Sequence, residues 1–83
     1  MSKKEKLIAK LKSKSRNFTF DEAEALLLSL GFEKSNKGKT SGSRVLFKYG
    51  DIHLDMHKPH PHNVLLRYQL NDLLDTLTEG GLI

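Results

Sequence analysis

Apolar residues recur at helical spacing in three parts of the chain, and this pattern predicts three helices. The first covers residues 2–14, where Leu7, Ile8 and Leu11 form a narrow apolar stripe. Lysines cover most of the remaining surface of this helix: Lys3, Lys4, Lys6, Lys10, Lys12 and Lys14. A lysine run of this kind is more often a solvated face than a binding surface, although it can also contact phosphates.

The second predicted helix has clear start and stop signals. Thr19 and Glu22 fit a capping box, and Phe18 is the hydrophobic residue before the cap. Gly31 stands where a glycine commonly ends a helix. The buried face is predicted to contain Phe20, Ala23, Leu27 and Leu30.

The third helix is predicted to start at an Asn63 cap and to run to about Glu79, where Gly80 and Gly81 end it. Its predicted apolar face contains Leu66, Leu70, Leu73, Leu74 and Leu77. A capped helix start also offers backbone N–H groups to an anion.

Between the second and third helices the pattern changes to short segments typical of strands, at residues 32–36, 43–49 and 52–57. Gly50 and Asp51 suit a two-residue hairpin turn between the last two strands. The resulting order, α-α-β-β-β-α, predicts an α+β fold with helices on one face of a three-stranded antiparallel sheet. We expect one domain, with residues 1–17 as a basic helical extension and residues 18–83 as the core.

The two-residue turn fixes which residues oppose each other in the hairpin. Tyr49 pairs with Ile52, and the apolar pairs that follow lie on one side of the sheet, as a buried face requires. On the other side, Arg44 is predicted to lie opposite His57. The complete predicted register is Tyr49–Ile52, Lys48–His53, Phe47–Leu54, Leu46–Asp55, Val45–Met56 and Arg44–His57.

Composition narrows the classes of function. The 83-residue chain has no cysteine, which excludes disulfides and thiolate metal sites, and has a net charge of +4. A basic chain favours an anionic partner such as nucleic acid, although the charge can also serve solubility alone. No apolar run is long enough to span a membrane, and residues 7–9 are too short for the core of a signal peptide. These features predict a cytoplasmic protein.

The open end of the hairpin concentrates residues that suit RNA cleavage without a metal. In that reaction the 2′-hydroxyl attacks the adjacent phosphodiester, which requires a base, an acid and a cation near the phosphate. Arg44 and Lys58 supply cations, and a neutral His57 or His60 can act as a general base. His62 is a further candidate for phosphate contact.

Two alternative ligands have weaker patterns. His53 and His57 lie ~13 Å apart along one strand, which is too far to bind one metal ion together. His57, His60 and His62 could converge on a metal only if the intervening prolines bend the chain. The loop at residues 37–42 lacks the Walker spacing, so we expect no nucleotide cofactor. We therefore predict that the protein uses no metal and no other cofactor.

Several motifs together resemble HicA-type toxins, small mRNA interferases of type II toxin–antitoxin systems. They are Phe-Asp-Glu at residues 20–22, Leu-Gly-Phe at 30–32, Gly-Lys-Thr-Ser-Gly-Ser-Arg at 38–44, His-Lys-Pro-His-Pro at 57–61 and Glu-Gly-Gly-Leu-Ile at 79–83. The resemblance implies a fold like the double-stranded-RNA-binding domain, mRNA cleavage, and neutralisation by a HicB-type antitoxin.

Taken with the hairpin register, the resemblance suggests a set of site residues. His57, His60 and Arg44 are the candidate catalytic residues, and the candidates for RNA or phosphate binding are Lys39, Ser41, Ser43, Lys58 and His62. The chain departs from the family at Arg44, because many members carry a catalytic histidine there. Arginine is not a base at neutral pH. Either His57 on the neighbouring strand replaces the lost base, or the chain is a non-catalytic RNA-binding protein of the same fold.

Overall fold

The computed structural model describes residues 2–35, 44–57 and 63–83. The elements in these ranges are α1 (Lys3–Lys12), α2 (Phe20–Ser29), β1 (Glu33–Ser35), β2 (Arg44–Tyr49), β3 (Ile52–His57) and α3 (Arg67–Glu79). The strands form an antiparallel sheet in the order β1-β2-β3. This is the α+β class and the element order that the sequence pattern predicts. None of the described helices has the length and apolar character needed to cross a membrane.

Capping boxes start the first two helices. In α2 the Thr19 hydroxyl accepts the Glu22 N–H at 3.1 Å, and the Glu22 carboxylate accepts the Thr19 N–H at 2.9 Å, as predicted. The same reciprocal arrangement joins Ser2 and Glu5 at the start of α1. Each box satisfies backbone donors that a helix start leaves without partners.

The predicted start of α3 is wrong. The helix begins at Arg67 with Leu66 at the N-cap position, and Asn63 does not cap it. The reason is a backbone bridge, in which Phe20 N–H donates to the Asn63 carbonyl and Leu65 N–H donates to the Phe18 carbonyl, both at 2.8 Å. These two hydrogen bonds join the backbone just before α3 to the backbone at the start of α2. The anion-binding role suggested for an Asn63-capped helix start therefore loses its basis.

The hairpin register is confirmed at each of the six predicted pairs, from Tyr49–Ile52 at the turn to Arg44–His57 at the open end. Gly50 has φ +56°, a left-handed conformation that glycine adopts without steric cost. The buried side chains of this hairpin, Phe47, Leu54 and Met56, all belong to the face predicted to be apolar.

The core lies between this apolar face of the sheet and the three helices. Leu7 and Leu11 of α1 belong to it, so the N-terminal helix is packed rather than detached. Leu26 is fully buried although it lies outside the predicted α2 stripe, whereas Leu66 is 53% exposed and does not belong to the apolar face of α3. The buried core residues are Leu7, Leu11, Phe18, Phe20, Ala23, Leu26, Leu27, Phe32, Phe47, Leu54, Met56, Leu65, Leu70, Leu73 and Leu77.

An ion pair connects the first two helices. Lys10 Nζ lies 2.8 Å from the Glu22 carboxylate, and it also lies 5.9 Å from the centroid of the buried Phe18 ring. Partial burial raises the pKa of Glu22, but the hydrogen bond and charge of Lys10 and the hydrogen bonds from Thr19 outweigh it, so the net pKa is lowered. Glu22 thus caps α2 and pairs with α1 at the same time.

Candidate functional site

The open end of the β2–β3 hairpin brings together two of the predicted catalytic positions. Arg44 and His57 are Cα partners in the antiparallel register. Residues directly opposite each other in such a pair have Cα atoms about 4.5–5.5 Å apart. His57 is exposed, on the face of the sheet away from the core. The structure therefore places His57 beside position 44, in the predicted register.

Six other predicted site residues lie outside the described ranges. They are Lys39, Ser41, Ser43, Lys58, His60 and His62. Their proximity to the Arg44–His57 pair stays a prediction, and so does the conformation of residues 37–42.

A buried glutamine anchors the end of β3 to α3. The Gln69 side-chain amide donates to the His57 carbonyl at 2.7 Å, and its carbonyl accepts the Leu66 N–H at 2.9 Å. Only 7% of Gln69 is exposed, and it is the one buried polar residue among the described positions. Because one side chain bonds both elements, it fixes the backbone of His57 relative to the first turn of α3.

Sequence reasoning missed Gln69 because it placed the helix start at Asn63. A glutamine at the third position of a helix can bond the backbone N–H at the N-cap position, as in a capping box. Here Leu66 occupies that cap position and supplies no side-chain acceptor, so half of the usual motif is missing. Gln69 can be recognised as a capping residue only when the start of α3 is placed at Arg67.

A shallow cleft of about 80 Å³ runs between β3 and α3 beside His57. Its floor contains apolar side chains from both elements, including Met56, and Tyr68 and Asp72 of α3 also line it. Tyr68 is 59% exposed, more than the other tyrosine, Tyr49, at 40%. An exposed aromatic ring next to a histidine is well suited to stack on an unpaired base.

The remaining described histidine lies elsewhere on the same strand. His53 is exposed and pairs in register with Lys48, four positions from His57 along β3. No group of three histidine or acidic side chains that could hold a metal occurs within residues 2–35, 44–57 and 63–83. The alternative metal set of His57, His60 and His62 falls partly outside these ranges, so the structure does not test it.

Comparison with known proteins gives no match. The chain matches no protein-family model, no curated protein and no solved structure. The resemblance to HicA-type toxins therefore stays a prediction that rests on the motifs and their order. The hairpin register, the Gln69 anchor and the cleft at His57 stand independently of it.

Proposed function

We propose that the chain is an endoribonuclease that cleaves mRNA without a metal ion and acts as the toxin of a toxin–antitoxin pair. The observation that carries the proposal is the register of the hairpin, which pairs Arg44 with His57 at an exposed end of the sheet. An arginine and a histidine at this separation provide a phosphate-binding cation and a proton acceptor for the same phosphodiester.

The proposed reaction is attack by the 2′-hydroxyl on the adjacent phosphorus. His57 or His60 removes the hydroxyl proton as the new oxygen–phosphorus bond forms, and the other imidazole protonates the departing 5′-oxygen as the old bond breaks. The products are a 2′,3′-cyclic phosphate and a 5′-hydroxyl, so no water or metal is needed in this step. Arg44 and Lys58 would stabilise the negative charge that develops on the phosphate oxygens.

Two residues that were not predicted from the sequence, Gln69 and Tyr68, fit this reaction. Gln69 holds the His57 carbonyl at 2.7 Å and so serves as a positioning residue for the imidazole. Tyr68 lines the cleft at His57 and would stack on a base next to the cleaved bond. Phosphate contacts by Lys39, Ser41, Ser43 and His62 complete the proposed RNA-binding surface.

Several parts of the proposal rest on the family resemblance alone. They are the likeness to the double-stranded-RNA-binding domain, the role as a toxin, and neutralisation by a HicB-type antitoxin. The proposed cytoplasmic location rests instead on the composition of the chain. A gene for such an antitoxin beside the gene for this chain would support the assignment to that class.

A second candidate function follows from one specific residue. Arg44 stands where many HicA-type toxins carry the catalytic histidine, and this favours an RNA-binding protein that does not cleave. The two candidates predict different outcomes for Arg44→His. Loss or reduction of activity supports a coordinated Arg44–His57 site, whereas a gain of cleavage in an inactive protein supports the non-catalytic alternative.

The test of the proposed function is growth after induced expression. The unsubstituted chain is expected to arrest growth, and His57→Ala and His60→Ala are each expected to relieve the arrest at equal protein levels. His53→Ala is the matched control, since it removes an exposed histidine from the same strand. If both alanine variants arrest growth as strongly as the parent, the catalytic assignment is wrong.

A further inference from the structure

A second concave surface lies on the other side of the first turn of α3. Three cationic side chains line this groove, namely Lys14 and Arg16 from the α1–α2 connection and Arg67 from α3. Its volume is about 340 Å³, and the remaining lining residues are Leu65, Leu66, Leu70 and Asn71. We call it the basic groove. Within residues 2–35, 44–57 and 63–83, no acidic side chain lines it.

The three cations are available to a ligand. Lys14, Arg16 and Arg67 are all exposed, and within the described ranges the ion pairs join other residues, Lys10 with Glu22 and Lys34 with Glu24. Three like charges around one concave surface repel each other, and an anion bound between them removes that cost. Arginine also binds phosphate with two parallel hydrogen bonds.

The basic groove lies next to the cleft at His57. Arg67 lines the groove and the next residue, Tyr68, lines the cleft, so only the first turn of α3 separates them. This turn is open to solvent, with Leu66 53% and Tyr68 59% exposed. A flexible polyanion that enters the cleft can therefore pass over the turn and reach the three cations.

We infer that the basic groove binds the sugar–phosphate backbone of a single RNA strand that extends from the cleft at His57. The apolar floor of leucines suits the carbon face of a ribose, and the rim cations suit the flanking phosphates. Among the residues that the structure describes, the lining contains no aromatic ring on which a base can stack. The contact is therefore with the backbone and independent of base sequence.

This inference rests on the proposed function for its choice of RNA over other polyanions. An acidic peptide with a leucine side chain would suit the same charges and floor. The proximity of the groove to the cleft favours RNA, because a single strand can then occupy both concave surfaces.

The test uses direct binding of a 5′-fluorescein-labelled 12-nucleotide single strand of mixed sequence with 2′-O-methyl riboses, which lack the attacking hydroxyl; cleavage is followed separately on the unmodified RNA. Its anisotropy is measured with the full chain in EDTA over a series of salt concentrations. The double variant Arg16→Gln, Arg67→Gln is compared with Lys3→Gln, Lys4→Gln, which removes the same charge from exposed positions at the far end of α1. Circular dichroism establishes that both variants stay folded.

The groove variant is expected to bind roughly tenfold more weakly and to lose about 1.4 from the slope of log K against log salt, since each single-strand phosphate contact contributes about 0.7. The control variant is expected to stay within about twofold, because charges beyond about 8–10 Å are largely screened at these salt concentrations. Equal losses in the two variants, or no loss in either, would overturn the inference.

The proposed function and the groove inference fail in different ways. Salt-dependent RNA binding that the groove variant weakens, without cleavage by the parent chain, supports the groove and contradicts the nuclease. Cleavage and binding that the groove variant leaves unchanged contradict the groove alone. Absence of RNA binding by the parent chain contradicts both.

Discussion

The glutamine that joins β3 to α3 gives a sharp test of how the structure holds His57. In Gln69→Leu, the His57 carbonyl loses a 2.7 Å hydrogen bond and the Leu66 N–H loses one at 2.9 Å. A net hydrogen bond contributes about 0.5–1.5 kcal/mol, and a buried polar group left without a partner costs about 1–3 kcal/mol. Because His57 and Leu66 are both exposed, water can partly replace the lost partner in each case.

We therefore expect Gln69→Leu to lower the free energy of unfolding by about 1–3 kcal/mol, after the gain from burying an apolar side chain is included. Such a loss corresponds to a fall in Tm of at least about 4 °C for a domain of this size. Urea unfolding followed by circular dichroism measures the first quantity, and thermal unfolding measures the second.

Gln69→Glu separates the two hydrogen bonds. It keeps an acceptor for the Leu66 N–H but removes the donor to the His57 carbonyl. Hydrogen exchange at the Leu66 amide should accelerate in Gln69→Leu and stay slow in Gln69→Glu. A change in unfolding free energy below about 0.5 kcal/mol in Gln69→Leu, with unaltered exchange, would refute the anchoring role.

Three further predictions concern the packing that supports the site. Glu22→Gln keeps a capping side chain but loses the ion pair with α1, so it should destabilise the fold by about 0.2–1 kcal/mol at pH 7. The pKa of Glu22 is lowered in the folded state, so this difference in unfolding free energy should persist at pH values above the ordinary pKa of 4.5. It should vanish as the pH falls through the lowered pKa, and urea unfolding at several pH values measures it. Gly50→Ala should lower the free energy of unfolding in urea by about 1–2 kcal/mol, because alanine is strained at positive φ. Gly31→Ala should cost more, because Gly31 also has positive φ and its new Cβ would approach the Tyr49 ring to 3.0 Å. Leu11→Ala should cost about 2–5 kcal/mol in the same assay, since Leu11 is fully buried, and a loss below about 1 kcal/mol would mean that α1 is not part of the core.

The hairpin was predictable because two local rules agree. The Gly50–Asp51 turn sets the register, and strict alternation places Phe47 opposite Leu54 on the buried face. A slip of one residue would have exposed every apolar side chain of the hairpin. Because the turn and the alternation require the same register, the pairing of Arg44 with His57 follows from the amino-acid sequence alone.

The start of α3 was not predictable from local signals. Asn63 is a good cap residue, but its carbonyl accepts a hydrogen bond from Phe20, more than 40 positions away in the chain. That long-range bridge holds the segment before α3 extended and moves the helix start to Arg67. The Gln69 anchor and the placement of Tyr68 in the cleft both follow from this shift, so they were missed for the same reason.

The most direct test of the central claim is the rate at which the purified chain cleaves a single-stranded RNA in EDTA, compared between His57→Ala and His53→Ala. Both histidines are exposed on β3, so the two variants differ chiefly in proximity to Arg44. We expect His57→Ala to lose about 10²–10⁴-fold in rate, His53→Ala to stay within about twofold, and the products to carry a 2′,3′-cyclic phosphate. Equal rates in the two variants, or no cleavage by the parent chain, would contradict that claim.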